Sequence, residues 1–198
     1  MFLFKPKKPE EEKKLEVSQA NIDLEIITNM NQEFALSLEL KETLNTALKV
    51  IIGRLNAQAA NIFLINDQKK KFECIASINQ DYLDEYELDL SDGVMAKAVE
   101  QKKCIRVGNV RKDVREIAEF YFDLDNKTNF TTYSVLCSPL IAANECIGVI
   151  HCLNKKTNDK LFIEEDRKLL ETLSAPAALA IRNAKMAKEM IEKNKIQK

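Results

Sequence analysis

One stretch narrows the possible folds more than any other. Cys146-Ile147-Gly148-Val149-Ile150-His151-Cys152-Leu153 is an apolar run ending in Asn154-Lys155, and after a short polar turn Phe162-Ile163-Glu164-Glu165-Asp166 opens a long helical pattern. A short apolar run bounded by turn residues reads as a buried strand. Acidic residues in the first turn of the following helix suit its dipole. The spacing lets a lysine at the strand end meet an aspartate in the first helical turn, which would tie the last strand to the last helix.

The rest of the chain supplies partners for that unit. Residues 1–12 are rich in proline and charge and read as a flexible tail; residues 13–37 carry a helical stripe through Ala20, Leu24, Ile27 and Phe34. No strand neighbours that stripe, and a second copy of the helix is the simplest surface to cover it, the alternative being that it folds back on its own domain. Ser37 to Glu42 changes register. A second helix then runs to about Leu55 with Leu44, Ala47, Leu48, Ile51 and Leu55 on one face. Asn61 to Ile65 and Phe72 to Ile78 flank the turn Asn66-Asp67-Gln68-Lys69 and read as an antiparallel hairpin. Asp89 to Gly93 reads as a turn or cap before the helical Val94 to Val99, and Cys104 to Val107 as a brief strand.

Residues 108–130 read as irregular apart from a helical piece, Val114 to Phe122. Strands from Tyr133 to Pro139 and Glu145 to Leu153 follow, then a helix from Ile163 to about Glu192 that Pro176 should kink. Small residues on that helix, among them Ala175, Ala177, Ala178, Ala180 and Ala184, suit a homodimer seam or close packing on a sheet. Hairpins with helices at both ends give an α+β domain with a central antiparallel sheet. The terminal helices are expected on one face and the segment between residues 80 and 130 on the other. The domain proper is expected over residues 38–190, with 191–198 as a helix end or linker.

Bulk properties exclude several classes. The formal net charge is −1, which gives no global electrostatic case for nucleic acid or an acidic membrane. No apolar run approaches the roughly 20 residues of a membrane span. The cysteines at 74, 104, 137, 146 and 152 form no Cys-x-x-Cys pair, so reduced thiols and a cytoplasmic location are the plain reading. The single histidine, His151, sits inside an apolar strand, where a neighbour that satisfies it is a better explanation than general-base chemistry. No nucleophile elbow, phosphate loop, zinc-protease or kinase motif occurs, and the chain reads as a non-enzyme.

The element order and specific residues resemble a GAF domain, most of all the cyclic-nucleotide-binding GAF domains of phosphodiesterases and adenylyl cyclases. Those domains carry an Asn-Lys-(x)n-Phe-x3-Asp-Glu signature. Asn154, Lys155, Phe162 and Asp166 match it, and Arg167 replaces the final Glu. The resemblance implies that Lys155 and Asp166 form a salt bridge that supports the fold without touching ligand. Asp125-Asn126-Lys127-Thr128-Asn129-Phe130-Thr131-Thr132 resembles the family's Asp-x-x-Thr-x-Phe-x-Thr segment, which implies ligand contacts for Asp125, Thr128 and Thr132. It further implies that Asn61, Ile78, Asn79, Val94 and Met95 line the pocket. Ile78-Asn79 stands where an aromatic-acidic pair is common, and Met95 where a small residue is common. A cyclic phosphate would be held by backbone donors at a helix N-terminus, near Val94 or near Val114.

The expected function is therefore a regulatory sensor that binds cAMP or cGMP as a regulatory ligand and needs no cofactor or metal. It would act as a homodimer through its terminal helices on an output domain or on a partner protein in trans. A ligand-free GAF dimerisation module is one alternative. A redox or haem sensor using Cys104, Cys137 or His151 is another.

Overall fold

The computed structural model describes residues 40–80, 87–91 and 93–196. The tail expected over 1–12 and the helix expected over 13–37 lie outside them. The described chain runs α1 (Leu40–Leu55), β1 (Ala57–Asn66), β2 (Lys71–Ile78), β3 (Glu87–Asp89), α2 (Gly93–Gln101), β4 (Ile105–Val107), a 3-10 turn (Val110–Lys112), α3 (Arg115–Thr128), β5 (Val135–Ala142), β6 (Glu145–Lys155) and α4 (Glu164–Ile196).

The six strands form one antiparallel sheet in the order β3-β2-β1-β6-β5-β4. Local chemistry sets its turns. Asn66 Oδ1 accepts from the amides of Gln68 and Lys69, closing the β1–β2 hairpin. Ala143 and Asn144 both have positive φ, 49° and 68°, the pattern of the two-residue turn that matches strand twist. Gly148 on β6 lies so close to β1 that a Cβ there would fall 2.1 Å from the Phe63 carbonyl oxygen. The sheet can close between β1 and β6 only because that side chain is missing.

Strand alternation sends side chains to two layers. Ile62 of β1, Leu136 and Leu140 of β5, and Ile150 and Cys152 of β6 pack with Leu44, Leu48, Ile51 and Leu55 of α1 and with Leu170, Leu173, Ala177 and Ile181 of α4. Ala59 and Phe63, Val135 and Cys137, and Val149 and Leu153 face the other way. They pack with Val94, Met95 and Ala98 of α2 and Ile117, Tyr121 and Leu124 of α3. Each fully buried aliphatic or aromatic side chain contributes about 1.5–3 kcal/mol, so both layers are strongly held. The terminal helices cover one face and the middle segment the other.

Several elements differ from the sequence reading. The helix expected to stop at Phe122 runs to Thr128, because Ile117, Tyr121, Leu124 and Thr128 continue one buried stripe. Asn129 ends it in the left-handed conformation, its amide bonded to the Asp125 carbonyl. The Asp125–Thr128 tetrapeptide is thus the last turn of a helix and not an irregular loop. Glu87–Asp89, outside the expected strands, is an edge strand paired with Lys71 to Glu73. The last helix continues through Pro176 without interruption.

Candidate functional site

The layer between the sheet and α2/α3 holds an unusual amount of polarity. Register places Ser77, Asn61, His151 and Cys137 in one row across β2, β1, β6 and β5. Asn61 is fully buried; its Nδ2 donates to Gln80 Oε1 at 2.6 Å and its Oδ1 accepts from Ser77 Oγ at 2.8 Å. Beside it His151, also fully buried, shares a 2.7 Å hydrogen bond between Nε2 and the Tyr121 hydroxyl of α3. Burial alone lowers the imidazole pKa to about 3, so the ring is neutral at physiological pH. Burial likewise pushes the Tyr121 phenol well above its ordinary value. Two side-chain atoms in this layer, Gln80 Nε2 and His151 Nδ1, find no hydrogen-bond partner among the described residues. Leaving such a group unsatisfied costs about 1–3 kcal/mol, which a domain evolved only for packing could avoid with an apolar side chain.

A second polar cluster lies at the end of α3. Asp125, 5% exposed, accepts from the Thr132 amide at 2.7 Å, from the Thr132 hydroxyl at 2.6 Å and from the Arg111 guanidinium. It knots the 3-10 turn, the last turn of α3 and the approach to β5 together. Arg111 reaches it because Asn109 caps that turn through a bond from the Arg111 amide, and the guanidinium also lies 5.7 Å from the Phe122 ring centroid. Thr128 is buried with its hydroxyl donated to the Leu124 carbonyl. The three residues assigned to ligand by resemblance are therefore close in the chain, but Asp125 and Thr132 bond to each other and Thr128 bonds to its own helix.

The remaining pocket residues divide. Val94 and Met95 are fully buried in the α2/α3 layer beside the polar row. Asn79 sits at φ 63° and donates to the Gln58 carbonyl at the surface. Ile78 packs with the α1/α4 layer, on the opposite face of the sheet. Its assignment to the pocket lining is corrected on that ground: Ser77 and Ile78 alternate, and Ser77 holds the inward position. Sequence reasoning missed Tyr121, Gln80 and Arg111. Tyr121 could have been found, because it falls on the buried stripe of α3 with a polar end that needs a partner.

The signature residues frame this region. Asn154 Oδ1 accepts from the amides of Tyr133 and Ser134, and its Nδ2 donates to the Thr131 carbonyl and to Gln58 Oε1. Lys155 Nζ lies 2.7 Å from Asp166 Oδ1, both side chains about nine-tenths buried, while Asp166 Oδ2 accepts from the Ile163 amide. Phe162 is buried beneath the Lys155 ammonium, 5.9 Å from its ring centroid. Arg167, where the signature has Glu, pairs with Glu164 and Glu171 on the exposed side of α4.

A gap of about 330 Å³ opens between β3 and α3, lined by Glu87, Asp89, Glu116, Glu119 and Asp123 with Lys127. Its carboxylate excess disfavours an anion. The first turn of α2, in contrast, carries no acidic side chain.

Comparison with known sequences and structures agrees with this architecture. The profile of the GAF domain matches residues 37–182. The chain belongs to the GAF domain family. A probable 3',5'-cyclic phosphodiesterase of Caenorhabditis elegans is 25% identical over 156 residues, 73% of this chain and 20% of that protein. A dual 3',5'-cyclic-AMP and -GMP phosphodiesterase 11A of Takifugu rubripes is 28% identical over 103 residues, 52% of this chain and 11% of that protein. This GAF chain thus spans a fifth or less of those two relatives. Among solved structures, the GAF domain of an Acinetobacter phosphoenolpyruvate-protein phosphotransferase superposes with a TM-score of 0.67 at 20% identity, covering 84% of this chain and 96% of that one. A free methionine-R-sulfoxide reductase of Neisseria meningitidis superposes at 0.65 with 15% identity, covering 94% and 98%. Likeness at these identities reports the fold alone. Among the described residues no helix is long and apolar enough to cross a membrane.

Proposed function

We propose that this GAF domain is a regulatory sensor that takes a cyclic nucleotide, cAMP or cGMP, between its sheet and the α2/α3 layer. The observation that carries ligand binding is the buried polar row, with Gln80 Nε2 and His151 Nδ1 unsatisfied among the described residues. The relatives' names supply the nucleotide class. The base would lie along Asn61, Gln80 and His151, with Val94 and Met95 closing the apolar side. The cyclic phosphate would sit at the N-terminus of α2, where the first turn offers backbone donors and carries no acidic side chain. Thr128, Thr132 and Asp125 would act from the end of α3, by shaping the wall or by exchanging their present bonds for ligand contacts.

The signal would leave through the terminal helices of a homodimer. Leu179, Met186 and Met190 are exposed on α4, seven and four residues apart, and suit a helical seam. Ligand must favour one arrangement of these helices over another for the switch to work. An output domain in a longer protein, or a partner in trans, would receive it, and the domain itself would carry no catalysis. Calorimetry of nucleotide-stripped protein with cAMP and with cGMP tests the reading. Heat for at least one is expected; a folded protein silent to both refutes it.

One observation favours the ligand-free dimerisation module: the Asp125–Thr132–Arg111 knot is already internally satisfied. The redox or haem reading has less support. Burial pushes the Cys104 thiol up to about 12 and raises Cys137 and Cys152 as well, which suppresses the reactive thiolate. His151 Nε2 is committed to Tyr121.

A further inference from the structure

Tyr121 and His151 join α3 to the centre of the sheet, and the chemistry of their bond is one-directional. Among the described residues the phenol has the imidazole as its one hydrogen-bond partner. A buried hydroxyl with one acceptor in reach donates to it, so Nε2 carries the lone pair and the proton of the neutral ring sits on Nδ1. The reverse arrangement would strand both the phenol proton and the Nδ1 lone pair, where this one strands only Nδ1. The two rings are close to parallel, 21° apart, with centroids 5.8 Å from each other. Tyr121 is fully buried, heads the largest buried side chains of the core, and comes from a helix whose outer face exposes Val114 and Phe122.

We infer that Tyr121 is a built-in occupant of the ligand place: its phenol stands where a planar heterocycle with an N–H edge would donate to His151 Nε2, and α3 must release this bond before such a ligand enters. The inference rests on reading the α2/α3 layer as the ligand site. It also sorts the ligand's parts. With the ring proton on Nδ1, Nε2 accepts and so suits a ring amide or exocyclic amine. Gln80 Nε2, on the far side of Asn61, has no partner among the described residues and adds a donor for the same flat edge. Free protein is thereby held closed by its own side chain, and the affinity measured for any ligand is reduced by the cost of opening.

The test uses the intact chain, cAMP and cGMP as probes, and Tyr121→Phe. The sequence contains one histidine, so isotope-labelled histidine gives the signals of a single ring. In free protein that ring should report the Nδ1–H tautomer, and its signals should move on nucleotide addition. Tyr121→Phe should bind nucleotide roughly three- to tenfold more tightly, the factor one hydrogen bond is worth. Its 115–128 amides should exchange with solvent faster by a similar factor while those of α4 stay unchanged. Weaker or unchanged binding overturns the inference, since the phenol then helps to hold the ligand or plays no part. If neither nucleotide binds any form, the cyclic-nucleotide reading fails and exchange decides the latch separately. Acceleration confined to 115–128 supports it, and uniform or absent acceleration overturns it.

Discussion

The stability of this domain should fall in mild acid because of one residue. His151 is fully buried, and desolvation is the sole cause of its lowered pKa, to about 3. The groups around it are Tyr121 from α3, Asn61 and Phe63 from β1, and Cys137 from β5, none of which carries charge between pH 5 and 7. In the unfolded chain the same imidazole titrates near its ordinary 6.5. Above that pH both states hold it neutral and it contributes no pH dependence. As pH falls from 6.5 toward 3, the unfolded state binds a proton that the folded state refuses, so stability is lost progressively. At pH 5 the loss is about 2 kcal/mol, from 1.5 pH units at about 1.36 kcal/mol each. Urea unfolding followed by circular dichroism at several pH values between 7.5 and 5, for the natural protein and for His151→Gln, measures it. The glutamine does not titrate and can still accept from Tyr121. Carboxylate titration is common to both proteins, so the difference between their slopes isolates His151. Equal slopes would refute the reasoning and show that the imidazole takes up its proton in the folded state.

Other substitutions probe the frame. Asp166→Ala should destabilise by about 3 kcal/mol in urea melts because it leaves the Lys155 ammonium buried and unpaired, whereas Lys155→Met with Asp166→Leu should recover most of the loss. Gly148→Ala should cost about 3 kcal/mol, since its Cβ meets the Phe63 carbonyl and β1 has to move; a melting temperature within a degree of the natural one would contradict that packing. Thr132→Val should cost about 2 kcal/mol through the lost bond to the Asp125 carboxylate even without ligand, while Thr128→Val should cost less because its hydroxyl only bonds back to its own helix.

Periodicity made much of the frame legible. The α1 stripe, the Asn66 hairpin and the apolar run of β6 each follow from a pattern within a dozen residues. The juxtaposition of Lys155 and Asp166 was also within reach, because eleven residues and one turn separate them. Local reasoning failed where long-range packing decides. Asp125-Asn126-Lys127-Thr128 has poor helix formers and turn-like chemistry, yet the buried Leu124 and Thr128 hold it helical against the sheet. Three-residue β3 exists because Leu88 packs beside Phe72 and the edge pairs with β2, neither of which its own sequence signals. The Asp125 knot needs Arg111, fourteen residues away, and the Tyr121–His151 pair spans thirty. Each residue was visible by itself; its partner was fixed only by the fold.

The length of α4 has a mechanical consequence. Its 33 residues make a rod of about 50 Å. The rod is pinned at one end, where Asp166 meets Lys155 and the Phe162 carbonyl accepts from Arg106. Its packed part ends near Ile181, beyond which Met186 and Met190 are exposed. Small displacements at the pinned end are therefore geared up along the rod: a tilt of about 5° carries the far end about 4 Å. β6 is the element that could set such a tilt, because His151 faces one layer while its neighbours Ile150 and Cys152 face the other, against the foot of the arm.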